Sequence, residues 1–161
     1  MKYLAHHSSP EKHRATWACG KTLLVVRHYF WKSEKPLERS LEGLMRSLLY
    51  QILGRHPEFI DSAFPDREWV RAGKEDRFTK TALQRALRNV LRDGRAANLR
   101  FFFAIDELDE FDQPDELIHF LQIFYGSSSI KLCVSSRPLN AFREEFGQGG
   151  RPSLDLRGLT E

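Results

Sequence analysis

The feature that most constrains this chain is the run Phe101-Phe102-Phe103-Ala104-Ile105-Asp106-Glu107-Leu108-Asp109-Glu110-Phe111-Asp112, where an apolar, aromatic stretch passes directly into a burst of carboxylates. A short apolar run without period-2 alternation suits a strand buried on both faces of a parallel sheet. Such sheets present their chemistry at the carboxyl ends of their strands, and the acids fall there. Charged groups at that point need solvent, a partner or a metal, because burying them unpaired is costly. Acids also favour helix starts, so a charged helix N-terminus is the plainer account of the same residues.

Length and composition bound the rest. At 161 residues the chain is one domain's worth and can bury a respectable core. Its 41% hydrophobic and 29% charged residues fit an ordinary globular protein rather than a disordered one. The net charge of +3, from 25 basic against 22 acidic residues, is too balanced to argue for nucleic acid. Two cysteines, Cys19 and Cys133, point to reduced thiols rather than a disulfide scaffold. No stretch is long and apolar enough to cross a bilayer, and residues 1–7 lack the apolar core of a secretory signal. A cytoplasmic location is the expectation.

Along the chain, residues 1–7 read as a helix fragment, and Ser9-Pro10 as the start of another that Gly20 ends. Residues 22–31 form the first clear strand. Pro36 opens an amphipathic helix with Leu37, Leu41, Leu44, Leu48, Leu49, Ile52 and Leu53 on its apolar stripe. Residues 56–74 are irregular, with Phe59, Ile60, Phe64, Trp69 and Val70 as candidate packing residues. A helix over 78–92 buries Leu83, Leu87, Val90 and Leu91, and Asp93-Gly94 turns the chain into the strand before the acids. Helix over 114–125, strand over 130–134, short helix over 140–146, loop over 147–152 and a last short strand over 154–156 complete the reading. Alternating strands and helices argue for a parallel sheet covered by helices.

Taken together, the strand of residues 101–105, Asp106 and the carboxylates after it have the form of a Walker B strand. That form is apolar residues, a magnesium-holding Asp, then a carboxylate that orients or activates water. With Lys131-Leu132-Cys133-Val134-Ser135-Ser136-Arg137-Pro138 downstream, the sequence resembles the NACHT NTPase domain, more narrowly the nephrocystin-type N-terminal domains of large fungal signalling NTPases. The resemblance implies a three-layer P-loop-type fold that binds ATP or GTP with magnesium and hydrolyses it slowly as a conformational switch. It implies that Asp106 holds magnesium, that Asp109 and Glu110 are the extended acidic pair, and that Arg137 senses the terminal phosphate. Glu107 stands where the family usually has a small residue, so either Glu107 or Glu110 could face the nucleophilic water.

The resemblance begins just after the family's P-loop, in the helix that residues 1–7 match. The whole of 1–161 is then expected to be a partial domain that lacks the Walker A strand and loop and stops before the following helical domain. Residues 15–22, Ala15-Thr16-Trp17-Ala18-Cys19-Gly20-Lys21-Thr22, satisfy a permissive Walker A pattern with Ala for the first Gly. Their order is wrong, because a P-loop follows a strand and enters a helix, whereas this segment follows a helix and enters a strand. Bulky Trp17 would also crowd a loop whose backbone must approach phosphate closely. Little or no hydrolysis is expected of such a chain. In the family's order the absent strand lies inside the sheet, beside the strand of 130–134, so open backbone groups and poor solubility are expected. Protein partners or self-association, with no membrane and no nucleic acid, follow from this reading. Two other readings are a protein-interaction scaffold without nucleotide chemistry and a metal-dependent nuclease built on Asp106, Asp109 and Asp112.

Overall fold

A computed structural model describes residues 8–30, 36–65, 78–147 and 152–154. The expected helix over 1–7 lies outside them, as do Trp69 and Val70. Helix α1 (Ser8–Ala18) begins one residue ahead of the expected cap, Ser9. Cys19 (φ 50°) and Gly20 (φ 78°) reverse the chain in the left-handed region, where glycine carries no Cβ penalty. Strand β1 (Thr22–Tyr29) follows at once. A 3-10 turn (Pro36–Arg39) leads to α2 (Leu41–Arg55), whose cap is Ser40, its hydroxyl accepting from the Gly43 amide at 3.1 Å. The helix therefore starts after Ser40 rather than at Pro36, and Leu37 is left exposed on the turn instead of on the apolar stripe.

A 3-10 turn (Pro57–Phe59) and a single helical turn, α3 (Ile60–Ala63), supply Phe59 and Ala63 to the core. Helix α4 (Lys80–Arg92) is capped by Thr79, and the 3-10 segment Gly94–Asn98 delivers the chain to β2 (Leu99–Asp106). After a 3-10 turn (Leu108–Glu110) come α5 (Pro114–Leu121), a 3-10 turn (Gln122–Phe124), β3 (Ile130–Val134) and α6 (Asn140–Gly147). Residues 152–154 have no regular structure, and the remainder of the expected last strand lies outside the described residues.

The three strands form a parallel sheet in the order β1-β2-β3, with Tyr29 level with Asp106 and Val134 level with Ile105. Its two faces are unequal. Leu24, Val26, Phe101, Phe103 and Ile105 point into one core shared with Leu44, Leu48 and Ile52 of α2, Leu83 and Leu87 of α4, and Leu117 of α5. Phe103 lies 4.4 Å from Phe124, which in turn meets Phe120 edge-on. Each such buried phenylalanine contributes about 2 kcal/mol of transfer free energy. The other face carries Arg100, Phe102 and Asp106, each half-buried, with Ala104 buried between the last two, and among the described residues α1 lies over it, with Arg14 5.4 Å from the Phe102 ring. The central strand is thus closed on one face and half-covered on the other, a correction to burial on both. The architecture remains a parallel α/β sheet flanked by helices.

Candidate functional site

The acids gather where β2 ends, at the carboxyl edge of the sheet. Asp106 is the last strand residue, and one of its carboxylate oxygens accepts from the hydroxyl of Ser135, the residue just after β3, and from the Glu107 amide at 3.1 Å. Ser135 is fixed by its own backbone: its amide donates to the Ile105 carbonyl and its carbonyl accepts from the Leu108 amide, each at 3.0 Å. The two strand ends are therefore laced together below the carboxylate.

Glu107 adopts the left-handed conformation (φ 59°, ψ 47°) and is exposed. A Cβ-bearing residue there costs about 1–2 kcal/mol relative to glycine, a physical reason for a small residue at this position. The reversal turns Leu108 into the core and brings Asp109 and Glu110 round to the sheet edge. Asp109, with its side chain 8% exposed, accepts from the Arg137 backbone amide at 2.8 Å and forms an ion pair with the Arg137 Nε at 3.2 Å. Glu110 lies 3.6 Å from the Arg137 Nη2. One arginine is thus clasped by two carboxylates through both main chain and guanidinium, while its side chain stays 78% exposed. Asp112 faces the other way and pairs with Arg39 in the turn before α2.

The structure brings together Asp106, Asp109, Glu110 and Arg137, and it keeps Asp112 apart. Among the described residues no group of three His, Cys, Asp or Glu side chains could hold a metal by itself. Asp106 is the one carboxylate at this point, and one of its oxygens already accepts two bonds, which fits an ion that keeps its waters and shares phosphate oxygens, not an all-protein cage. Ser135 was not singled out as a site residue from the sequence. Its signal was position, one residue beyond a strand that runs parallel to β2.

The Walker A-like residues 15–22 run from the last turns of α1 through the left-handed reversal into β1. They lie at the amino end of β1, the opposite end of the sheet from Asp106. Over residues 1–137 the sequence matches the family described as Nephrocystin 3, N-terminal. The chain belongs to that family. The matched span of this nephrocystin 3 N-terminal domain runs from its first residue through β2, the acidic turn and β3 to Arg137. No curated protein and no solved structure matched the chain.

Proposed function

We propose that this nephrocystin-type domain is the Walker B and sensor part of a NACHT-class nucleotide switch, with little or no hydrolytic activity of its own. The observation that carries the reading is the double hold of Asp109 on Arg137, beside Asp106, at the carboxyl edge of a parallel sheet. Asp106 is the carboxylate that would hold magnesium, and the nucleotide would be ATP or GTP. Bound magnesium would neutralise phosphate charge and orient its oxygens. Glu110 is the residue that would position water, Asp109 its acidic partner. Exposed Glu107 points its backbone away through a left-handed residue, which favours Glu110 for that role.

Arg137 would sense the terminal phosphate. Its guanidinium, held only at the surface, can leave Asp109 and Glu110 for a phosphate that offers stronger charge-assisted bonds. The exchange would couple phosphate occupancy to the segment after β3, which is the logic of a switch. Weak hydrolysis fits the place of the Walker A-like residues 15–22, at the opposite end of the sheet from Asp106. Two free cysteines and the absence, among the described residues, of a helix able to cross a membrane support a cytoplasmic setting.

Titration with magnesium-ATP and magnesium-GTP by calorimetry, alongside a turnover assay, tests this reading. Weak binding that Arg137→Ala reduces, with turnover at background, is the expected outcome. Metal-dependent turnover abolished by Glu110→Gln would overturn the claim of inactivity. No heat with either nucleotide at millimolar concentration would sink the nucleotide reading and favour a second one, a scaffold that pairs with protein partners. That second reading has its own support in the open edge of β3, which no described segment covers.

A further inference from the structure

A cavity of about 540 Å³ opens at the other end of the molecule, between the last turns of α4 and α5 and the start of β3. Arg88 and Arg92 of α4 and His119 of α5 stand at its wall, and Leu91, Ile123 and Ile130 supply apolar surface. Among the described residues no carboxylate lines it. Among the described residues no ion pair or side-chain hydrogen bond involves the side chains of Arg88, Arg92 or His119. Elsewhere, Arg39, Arg95 and Arg137 pair with Asp112, Asp93 and Asp109, and Arg46, Arg55 and Arg100 reach carbonyl or hydroxyl oxygens.

Two guanidiniums one helical turn apart repel each other, and an attractive partner is missing. The helix C-terminus favours a cation in its last turn, which accounts for Arg92 but not for Arg88 one turn earlier. Concave walls of one sign concentrate field and attract a counter-ion of the opposite sign. Arginine forks match the oxygens of a phosphate in pairs, and the aliphatic floor suits the organic body that carries the anion. A site of this volume falls in the range of small-molecule pockets.

We infer that this pocket binds a small organic phosphate, its phosphoryl group held by Arg88 and Arg92 and its apolar body resting on Leu91, Ile123 and Ile130. The site is separate from the acidic edge, since it adjoins the first residue of β3, whereas Asp106 is the last residue of β2 and Ser135 follows the last residue of β3. It does not depend on the nucleotide reading.

Phenyl phosphate, inorganic phosphate and phenol, each titrated into the full chain by calorimetry, test the inference. Phenyl phosphate is expected to bind more tightly than inorganic phosphate, and phenol not at all. Arg88→Gln and Arg92→Gln should each weaken it about tenfold, the loss of one charge-assisted hydrogen bond. Both arginines are exposed, so the unliganded variants should keep the parent's thermal midpoint. Should either lose its fold, Arg88→Lys, which retains charge but not the fork, should still weaken phenyl phosphate and inorganic phosphate alike. Equal affinity for the two phosphates would remove the organic body from the proposal and overturn it. Binding that survives both substitutions, or no binding at millimolar phenyl phosphate, would overturn it outright.

Discussion

His28 sits 9% exposed at the end of β1, its ring edge-on to Phe30 at 4.7 Å, and its Nε2 has no hydrogen-bond partner among the described residues. Burial lowers its pKa from 6.5 to about 4, because an imidazolium there would lose its hydration without gaining an anion. The folded state therefore resists a proton that the unfolded chain accepts. Stability from the neutral ring is fully present above pH 6.5 and is lost as pH falls from there towards 4. The shift corresponds to a loss on the order of 3 kcal/mol. In His28→Leu the stability difference between pH 7 and pH 5, from urea midpoints, should be clearly smaller than in the parent. An identical difference would mean that other groups govern the acid response. Nothing in the sequence marked His28, since a histidine between Arg27 and Tyr29 in a strand reads like any other alternating residue. Only the closing of α2 over that face strips it of water.

At the scale of elements, the two edges of the sheet are treated differently. Three outward backbone groups of β1 are taken by side chains of α2. Gln51 accepts from the Arg27 amide at 3.0 Å and donates to the Arg27 carbonyl at 2.6 Å, while Arg55 donates to the Val25 carbonyl at 2.7 Å. A glutamine here imitates a neighbouring strand. Gln51→Ala should cost about 1–3 kcal/mol, because it orphans a part-buried donor and acceptor together. Gln51→Glu, which keeps the acceptor but not the donor, should fall between, and chemical denaturation of the three proteins would rank them. If Gln51→Ala matched the parent, water must replace the amide without loss.

This edge device also marks where the sequence stops being legible. The leucine period of α2 and the aromatic run of β2 announced their elements, since burial imposes periodicity. The parallel arrangement and the placing of the acids at the carboxyl edge followed from the pattern of strands and helices, whereas the strand order and the clasp of Arg137 by Asp109 came only with the structure. Gln51 interrupts no pattern, so its role needs the strand beside it. The ending of α5 at Leu121 was missed for a similar reason. The Gln122 amide is shared between the Ile118 and Phe120 carbonyls, tightening the turn that carries Phe124 onto Phe103. Leu37 looked like the first residue of an apolar stripe until the Ser40 cap moved the helix start past it.

For the molecule as a whole the decisive asymmetry is the far edge, β3. The Phe101 amide donates to the Ser129 carbonyl and the Ser135 amide to the Ile105 carbonyl, so the odd-numbered residues of β3 face β2. By the alternation of a parallel ladder, Ile130, Leu132 and Val134 turn their amides and carbonyls away from β2; the Ile130 amide is met by the Ser127 carbonyl at 3.2 Å, and among the described residues no backbone group meets the amides of Leu132 and Val134. The strand is correspondingly half-buried or exposed at all five positions, unlike β2. An uncovered, short, apolar strand edge is a template for pairing with another chain. The purified protein should therefore associate as concentration rises, seen as growing mass in light scattering at moderate salt. Leu132→Pro should suppress the association, because a proline at 132 removes an outward amide and leaves every bond to β2 in place. It also gives up part of a half-buried leucine, at a cost of about 1 kcal/mol, so the variant should be less stable yet more soluble. That pairing of opposite effects distinguishes edge pairing from general unfolding, in which lower stability would bring more aggregation. A monomer at all concentrations would show that the β3 edge is covered in solution.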